Sequence, residues 1–137
     1  MQGSKASNLL EEKCTSGGWS ATLGDTVDAS LKKAYLDAQT ARKRANKLMC
    51  GIKSSGLAST DGAALALVGS MAFKDGSLHD GVVDFNSCSV GFGNFVTDAE
   101  AGGNYKASVN HLDTSFRNGD GWWGADRKPV KWFECAL

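Results

Sequence analysis

The stretch Tyr105-Lys-Ala-Ser-Val109 is followed directly by Asn110-His111-Leu112-Asp113, and this order decides the fold class that the sequence predicts. Apolar and polar residues alternate over 105–109, which is typical of a β-strand with one buried face. The polar cluster then begins where the strand ends. Open parallel sheets place their functional groups at the carboxyl ends of the strands. We therefore predict a strand that delivers His111 to one edge of a sheet.

A second polar cluster has the same setting further back along the chain. Residues 63–72 (AALALVGSMA) are continuously apolar and bounded by turn residues, which favours a buried parallel strand. Their alanine content leaves a helix possible for the first half. A polar loop follows and ends in His79-Asp80-Gly81. Two strands that each lead into a polar cluster indicate an α/β fold.

The other elements flank these strands. Apolar residues recur at three- and four-residue steps over 26–50, which predicts one long amphipathic helix. We also predict short helices over 6–14 and 82–88, an irregular segment over 91–103, and a final helix that begins near Pro129. The aromatic cluster of Trp122-Trp123 with Trp132 and Phe133 is expected to cover the core beside that helix; a lipid- or sugar-facing platform is the alternative. No repeat or linker divides the 137 residues, so one domain is expected.

The composition disfavours a nucleic-acid-binding protein and a membrane-spanning protein, and the cysteines suggest disulfides. Fifteen Lys and Arg balance fifteen Asp and Glu, so the chain lacks the basic excess of a nucleic-acid-binding protein. No apolar run approaches the roughly 18 residues of a membrane span. Four cysteines stand at 14, 50, 88 and 135, too far apart for a CxxC pair. An even, scattered set is typical of two disulfides in an oxidising compartment, with three pairings possible, and four reduced thiols are the alternative.

Asp80 and His111 are the candidate chemical pair. If their strands are neighbours in the sheet, the Asp80 carboxylate can accept the Nδ1–H of His111, which leaves Nε2 free to act as a base. The competing interpretation is a turn aspartate and an unrelated surface histidine.

Three motifs in order resemble a known family. They are Asp61-Gly-Ala-Ala-Leu-Ala-Leu-Val-Gly69, His79-Asp80-Gly-Val-Val83 and Asn110-His-Leu-Asp113. Together they resemble the C-terminal part of bacterial triacylglycerol lipases of the Pseudomonas/Burkholderia type, which are α/β-hydrolases. The opening Gln2-Gly3-Ser4 and the 26–50 helix are similar to further parts of that family. The resemblance implies an incomplete α/β-hydrolase fold, in which the C-terminal strands of a parallel sheet have flanking helices.

The resemblance also implies roles for particular residues. Asp80 matches the acid of a catalytic triad, and His111 matches its general base. Asp61 and Asp113 match two carboxylates that hold a structural Ca²⁺ in these lipases, with backbone carbonyls near Arg117 and Gly121 as further ligands. The family's single disulfide corresponds to Cys50–Cys88, which leaves Cys14–Cys135 as an extra pair. Segment 1–25 is a lid-like or post-strand segment, of which 5–25 stands where the family has a larger mobile lid. Its apolar side chains Leu9, Leu10 and Trp19 are expected to belong to a core-facing helix; facing lipid is the alternative.

One part of the family pattern is missing. Ester hydrolysis in this fold needs a serine in a G-x-S-x-G turn between a strand and a helix, and the nearest stretch, Gly18-Trp-Ser-Ala-Thr22, lacks the last glycine. The resemblance therefore implies the C-terminal portion of a secreted lipase or esterase that hydrolyses carboxylic esters such as triacylglycerols. The isolated chain is expected to be inactive, to require an N-terminal hydrolase half, or to self-associate. The alternatives are a non-catalytic binding module, a degenerate hydrolase and a truncated gene product.

Overall fold

A small parallel sheet organises residues 29–137, the part of the chain that the computed structural model describes. Its strands are β1 (Met49–Gly51), β2 (Phe95–Val96) and β3 (Asn104–Ala107), in the order β1-β3-β2. Both neighbours run parallel to β3, and Met49 of β1 and Val96 of β2 lie on either side of Tyr105. A parallel sheet with helices confirms the mixed α/β class.

The central strand β3 and its extension supply most of the core. Tyr105, Ala107 and Val109 alternate inward and are fully buried. The Tyr105 hydroxyl donates to the carbonyl of Ala125 (2.8 Å) and accepts from the N–H of Lys128 (3.0 Å). Burial raises the pKa of Tyr105 to about 12. The predicted strand at 105–109 is confirmed over 105–107, and its inward face is the one that the alternation indicates.

Helices surround the sheet. They are α1 (Ala29–Arg42), α2 (Thr60–Ala72), α3 (Phe85–Ser89) and α4 (Pro129–Ala136), with short 3₁₀ turns at Asp113–Ser115 and Ala125–Arg127. The final helix begins at Pro129 as predicted, and α3 overlaps the helix predicted over 82–88. Trp132 of α4 stacks on Tyr105 at 6.0 Å between ring centroids, which joins the helix to the core. The 91–103 segment, predicted as irregular, contains β2.

Residues 63–72 form a helix, so the prediction of a buried strand there is wrong. Ser59 caps the start of α2, where its side chain accepts from the N–H of Gly62 (3.2 Å). Alanine is the strongest helix former, and an apolar run of this length does not distinguish a strand from a helix by periodicity. The buried residues of α2 are Gly62 and Gly69, while Leu67 and Met71 are exposed. The helix is therefore most deeply buried at its glycines.

The predicted helix over 26–50 ends at Arg42, and its last residues belong to β1 instead. The N–H of Tyr105 donates to the Leu48 carbonyl (2.8 Å), and the N–H of Leu48 donates to the Asn104 side chain (2.9 Å). Cross-strand bonds to a buried partner outweigh the helical preference of the segment. The apolar spacing of residues 26–50 is visible in the sequence. The pairing of residues 49–51 with β3, which is formed by a distant segment, is not.

Cys50 and Cys88 form a disulfide between β1 and α3, with the Cα atoms 5.9 Å apart. This pairing is the one that the lipase resemblance implies. Cys135 is exposed and has no disulfide partner among residues 29–137. The predicted pair Cys14–Cys135, the 6–14 helix and the lid-like segment 1–25 lie outside the described residues.

None of the helices within 29–137 is long and apolar enough to cross a membrane.

The tryptophans of the described residues differ in exposure. Trp122 and Trp123 are 92% and 73% exposed, whereas Trp132 is buried. The expectation that the aromatic cluster covers the core is therefore confirmed for Trp132 and wrong for Trp122 and Trp123. The pair lies in a turn between Gly119 and Gly124, both with positive φ, which projects it from the core.

Removing the disulfide should destabilise the protein. Replacing both Cys50 and Cys88 by Ala is expected to lower the free energy of unfolding by about 2–5 kcal/mol, because the unfolded chain regains the freedom that the cross-link removes. Urea unfolding followed by tryptophan fluorescence measures the difference. Cys135→Ala, which changes an exposed thiol, is the matched control and should leave the midpoint unchanged. A double variant as stable as this control would contradict the prediction.

Candidate functional site: an aspartate–histidine pair at the sheet edge

The candidate site forms where β1 and β3 continue past the sheet. The N–H of Ile52 donates to the Ala107 carbonyl (2.9 Å), and the N–H of Lys53 donates to the Val109 carbonyl (3.3 Å). Lys53 in turn makes a parallel bridge with His79 on its other side. The chain segments that end at Asp80 and at His111 are thereby brought to the same end of the sheet.

Asp80 and His111 meet directly. The imidazole Nδ1 lies 2.8 Å from the Asp80 Oδ2 atom, and the backbone N–H of His111 donates to the Asp80 carbonyl (2.9 Å). An ionised carboxylate can only accept hydrogen bonds, so Nδ1 carries the proton in this pair. Two contacts, one through side chains and one through the backbone, fix the histidine on the aspartate.

A tight turn fixes the aspartate itself. The second carboxylate oxygen of Asp80 accepts from the N–H groups of Val82 (2.9 Å) and Val83 (2.7 Å), and the Asp80 N–H donates to the Val83 carbonyl (3.1 Å). Gly81, with φ of +98°, allows this turn, and a Cβ there would lie 2.8 Å from the Cβ of Leu65. The carboxylate is therefore aimed at His111 by backbone donors that need no partner from elsewhere.

The route to Asp80 differs from the prediction. We expected Asp80 to follow a strand at 63–72, but it follows helix α2 and a loop. The bridges of His79, parallel to Lys53 and antiparallel to Asp84, place the segment beside the extension of β1. Isolated bridges give no hydrophobic run in the sequence, whereas the apolar helix upstream has the pattern that also predicts a buried strand.

Gly51 makes the close approach possible. A Cβ at this last residue of β1 would lie 2.7 Å from the Val109 carbonyl oxygen and 2.8 Å from the Cβ of Asp80. Both neighbours are held by backbone hydrogen bonds and cannot move aside cheaply. The absence of a side chain at Gly51 thus sets the distance between the acid-bearing turn and the exit of β3.

The environment of the two side chains is asymmetric. The Asp80 side chain is 8% exposed, while that of His111 is 43% exposed. The hydrogen bond to Asp80 raises the pKa of His111, and partial burial of the ring opposes this rise. Among residues 29–137, no hydrogen-bond partner of Nε2 is present. The pair can accept a proton at Nε2 while the charge that develops on the ring is balanced by a buried carboxylate.

His79, next to Asp80, has a different environment. Its ring stacks on Phe73 at 4.5 Å between centroids, and its Nδ1 accepts from the Gly81 N–H (3.2 Å). Burial lowers the pKa of His79, against smaller opposing effects of Asp80 and Asp84. A neutral ring that accepts from the backbone is a packing element of the turn, in line with the expectation that this histidine is a loop residue.

Asn110 and Asp113 fold the turn that bears His111. The Asn110 Oδ1 atom accepts from the N–H groups of Leu112 and Asp113 (both 2.9 Å), and the Asp113 Oδ2 atom accepts from the Asn110 N–H (3.1 Å). Both residues are fully buried. These reciprocal bonds were not predicted from the sequence, although an Asn side chain that accepts from the backbone N–H two residues on is common in turns.

Asp113 also joins this turn to a second loop. Its Oδ2 atom accepts from the Leu57 N–H (2.9 Å), and a Cβ on Gly56, which has φ of +53°, would overlap that oxygen and the Asn110 amide. Glycine at 56 is therefore required by both backbone conformation and space. The buried Asp113 carboxylate therefore links the 53–59 loop to the His111 turn by hydrogen bonds.

The two carboxylates that the resemblance assigns to calcium have other partners, an ion pair for Asp61 and hydrogen bonds for Asp113. Asp61 Oδ2 lies 3.6 Å from a guanidinium nitrogen of Arg117, and Asp113 Oδ1 accepts from the Asn118 side-chain amide (2.7 Å). Across residues 29–137, three or more His, Cys, Asp or Glu side chains are nowhere grouped as metal ligands. The surroundings of these two carboxylates therefore suit N–H groups rather than a cation. Calcium binding at Asp61 and Asp113 stays a prediction.

A separate cavity of about 430 Å³ lies near the acid-bearing turn. Its lining includes Phe73, Leu78 and Asp84 but neither Asp80 nor His111. The Asp84 carboxylate there caps α3, accepting from the N–H (3.0 Å) and hydroxyl (2.8 Å) of Ser87. The Asp80–His111 pair is therefore reached from the surface and not through this cavity.

The chain matches no family model, no curated protein and no solved structure in our comparisons. The site is thus defined by its own geometry: a buried carboxylate held by backbone donors, a histidine bonded to it through Nδ1, and an Nε2 atom on the exposed ring.

Closing the space at Gly51 should disturb the pair. Gly51→Ala is expected to lower the free energy of unfolding by about 1–3 kcal/mol, the usual effect of overpacking a tight site. Gly93→Ala is the control, because nothing lies within 4 Å of a Cβ there. Thermal unfolding by circular dichroism compares the variants. Equal melting temperatures for the two would show that the approach at Gly51 is not tight.

The contact between His111 and Asp80 should be visible as a titration. The His111 pKa is expected above the ordinary value of about 6.5, and Asp80→Asn should lower it. Because the folded pKa is raised, the stability gained from protonated His111 is full below the unfolded pKa and is lost as the pH rises through the folded pKa. Proton NMR of the two histidine rings measures both values. A His111 pKa unchanged in Asp80→Asn would contradict the geometry.

Proposed function

We propose that this chain provides the acid and the base of a serine-hydrolase site of the lipase or esterase type, within an α/β-hydrolase fold of which it forms the C-terminal portion. The observation on which the proposal rests is the 2.8 Å contact between His111 Nδ1 and Asp80 Oδ2. An acid–histidine pair of this kind is shared by triads on unrelated folds, which are recognised by geometry and roles. The substrate class is a carboxylic ester, triacylglycerols included, and the parent protein is secreted.

In the proposed reaction, His111 acts as a general base and then as a general acid. Nε2 takes the proton from a serine hydroxyl while its oxygen attacks the ester carbonyl, and then gives that proton to the leaving alcohol. Water, deprotonated by Nε2, next attacks the acyl-enzyme. The carboxylic acid leaves, and the serine recovers its proton from Nε2. Asp80 stays ionised throughout and stabilises the imidazolium.

Several features of the described residues support this assignment. The His111 turn follows the central parallel strand, and the Asp80 turn lies beside the extension of β1, at the same sheet end. The order acid then histidine along the chain is that of α/β-hydrolases. The carboxylate is buried and aimed by backbone donors, while the ring is exposed enough to meet a substrate.

The nucleophile in this proposal is a serine outside the 137 residues. The G-x-S-x-G pattern does not occur in the sequence. The oxyanion-hole donors would belong to that same missing part. Chain 1–137 therefore supplies two of the three triad members, and we expect no turnover from it alone.

A non-catalytic role is the second candidate, and one observation favours it. Large apolar side chains are exposed, including Leu67 and Met71 of α2 and the pair Trp122-Trp123. Exposed apolar patches on a soluble protein often mark contacts with other chains. In this case the Asp80–His111 pair would be a remnant that positions a turn, and association through these side chains would be the function.

An ester assay separates the two candidates. The protein tested is the chain extended through the coding sequence upstream of Met1, where the proposal places a strand followed by G-x-S-x-G. We expect hydrolysis of p-nitrophenyl butyrate that falls at least about 10³-fold in His111→Ala and strongly in Asp80→Asn, as for other triads. Asp75→Asn, an exposed aspartate in a turn, is the control.

The same assay on residues 1–137 alone should give no rate above buffer. An upstream region without such a serine, or turnover that survives both His111→Ala and Asp80→Asn, would overturn the enzymatic proposal and leave the binding role.

A further inference from the structure

Two cross-links join the 53–62 segment to the 110–118 segment beside His111. Asp61, in the first turn of α2, is paired with the guanidinium of Arg117 at 3.6 Å. Buried Asp113 accepts from the Asn118 amide at 2.7 Å and from the Leu57 N–H at 2.9 Å. These are the two carboxylates that the lipase resemblance assigns to calcium. Their partners in the structure decide whether a calcium ion would fit there.

The acceptor capacity of Asp113 is nearly used up. An ionised carboxylate has about four lone-pair positions. Three accept hydrogen bonds, from Leu57, Asn110 and Asn118. A calcium ion takes about six to eight oxygen ligands, most of them from carboxylates and carbonyls. Asp113 has too little left to be a principal ligand without giving up a bond that folds the turn.

The charge near Asp61 also disfavours a cation. The Arg117 guanidinium is permanently protonated and lies 3.6 Å from the Asp61 carboxylate, with both side chains at the surface. A divalent ion at Asp61 would have to displace Arg117 or share the carboxylate with it. The resemblance expects only a backbone carbonyl near position 117, whereas the structure directs the side chain at Asp61.

We propose that the side chains of Arg117 and Asn118 take the place of a metal ion in this chain. The Asp61–Arg117 and Asp113–Asn118 contacts are together called the brace. The first joins the 53–62 segment to the 110–118 segment, and the second fixes the Asp113 carboxylate that accepts from the Leu57 N–H of the other segment. Asn118 and Asp113 are then positioning residues for His111, because Asp113 also accepts the Asn110 N–H directly before it. The brace makes the His111 turn independent of calcium.

Calcium response is the first test, on the wild-type chain. The melting temperature is expected to be the same in excess EGTA and in excess CaCl₂, and calorimetric titration with CaCl₂ is expected to give no binding heat. A melting temperature that rises with CaCl₂, and loses that rise in Asp61→Asn, would overturn the proposal and restore the metal site.

The second test separates positioning from general stability. Asn118→Ala removes the donor to Asp113 and is expected to lower the melting temperature by about 4 °C or more, as loss of a hydrogen bond to a buried carboxylate would in a domain of this size. The same variant should lower the His111 pKa toward its ordinary value, measured by proton NMR. Asn46→Ala, an exposed asparagine outside the site, is the control for both.

A His111 pKa in Asn118→Ala equal to that of the control would overturn the positioning role. An unchanged melting temperature in the same variant would overturn the brace itself. None of these measurements uses ester turnover, so their outcome is independent of whether the proposed hydrolysis holds.

Discussion

The close parallel approach of β1 to β3 is the constraint on which the candidate site depends. Where both strands leave the sheet, Gly51 lets the Val109 carbonyl and the Cβ of Asp80 come within less than 3 Å of where a side chain would begin. The hydrogen bond from His111 to Asp80 exists only because the two turns meet there. Its geometry is thus fixed by backbone packing rather than by the two side chains alone.

The core and the disulfide hold this approach in place from two sides. On one side, Tyr105 is buried beneath Trp132 and hydrogen-bonded through its hydroxyl to the segment that leads into α4. On the other side, the Cys50–Cys88 bond joins β1 to the helix that follows the Asp80 turn. Gly51 follows Cys50 directly, so the cross-link acts within one residue of the tight contact.

The buried carboxylates of the site are satisfied by donors close to them along the chain, whereas the Nδ2 atom of Asn110 has no hydrogen-bond partner among residues 29–137. The Asp80 carboxylate accepts from Val82 and Val83 in its own turn, and the Asn110 Oδ1 atom and the Asp113 carboxylate each accept from the other residue's backbone N–H. A buried polar group without a partner costs about 1–3 kcal/mol. The turns therefore resist rearrangement even though they are short and belong to no long strand or helix. That rigidity suits an acid–base pair, which must keep its alignment while a proton moves.

The sequence by itself determined the local features whose causes are local. Alternation identified the strand at 105–109, Pro129 marked the start of α4, and the polar clusters identified Asp80 and His111 as partners. The motif resemblance suggested Cys50 and Cys88. Apolar spacing failed at 63–72 and at the end of the 26–50 helix, because an alanine-rich run suits two conformations and its surroundings decide between them.

Only the tertiary structure decided how these parts are joined. It placed Met49–Gly51 in the sheet beside β3, and it brought Asp80 to that sheet through the bridges of His79 instead of through a preceding strand. It also directed Arg117 and Asn118 at the two carboxylates. Each of these outcomes is a contact between residues distant along the chain. Such contacts depend on which of several segments pairs with a given neighbour. Periodicity and turn signals are local, so they do not predict that choice.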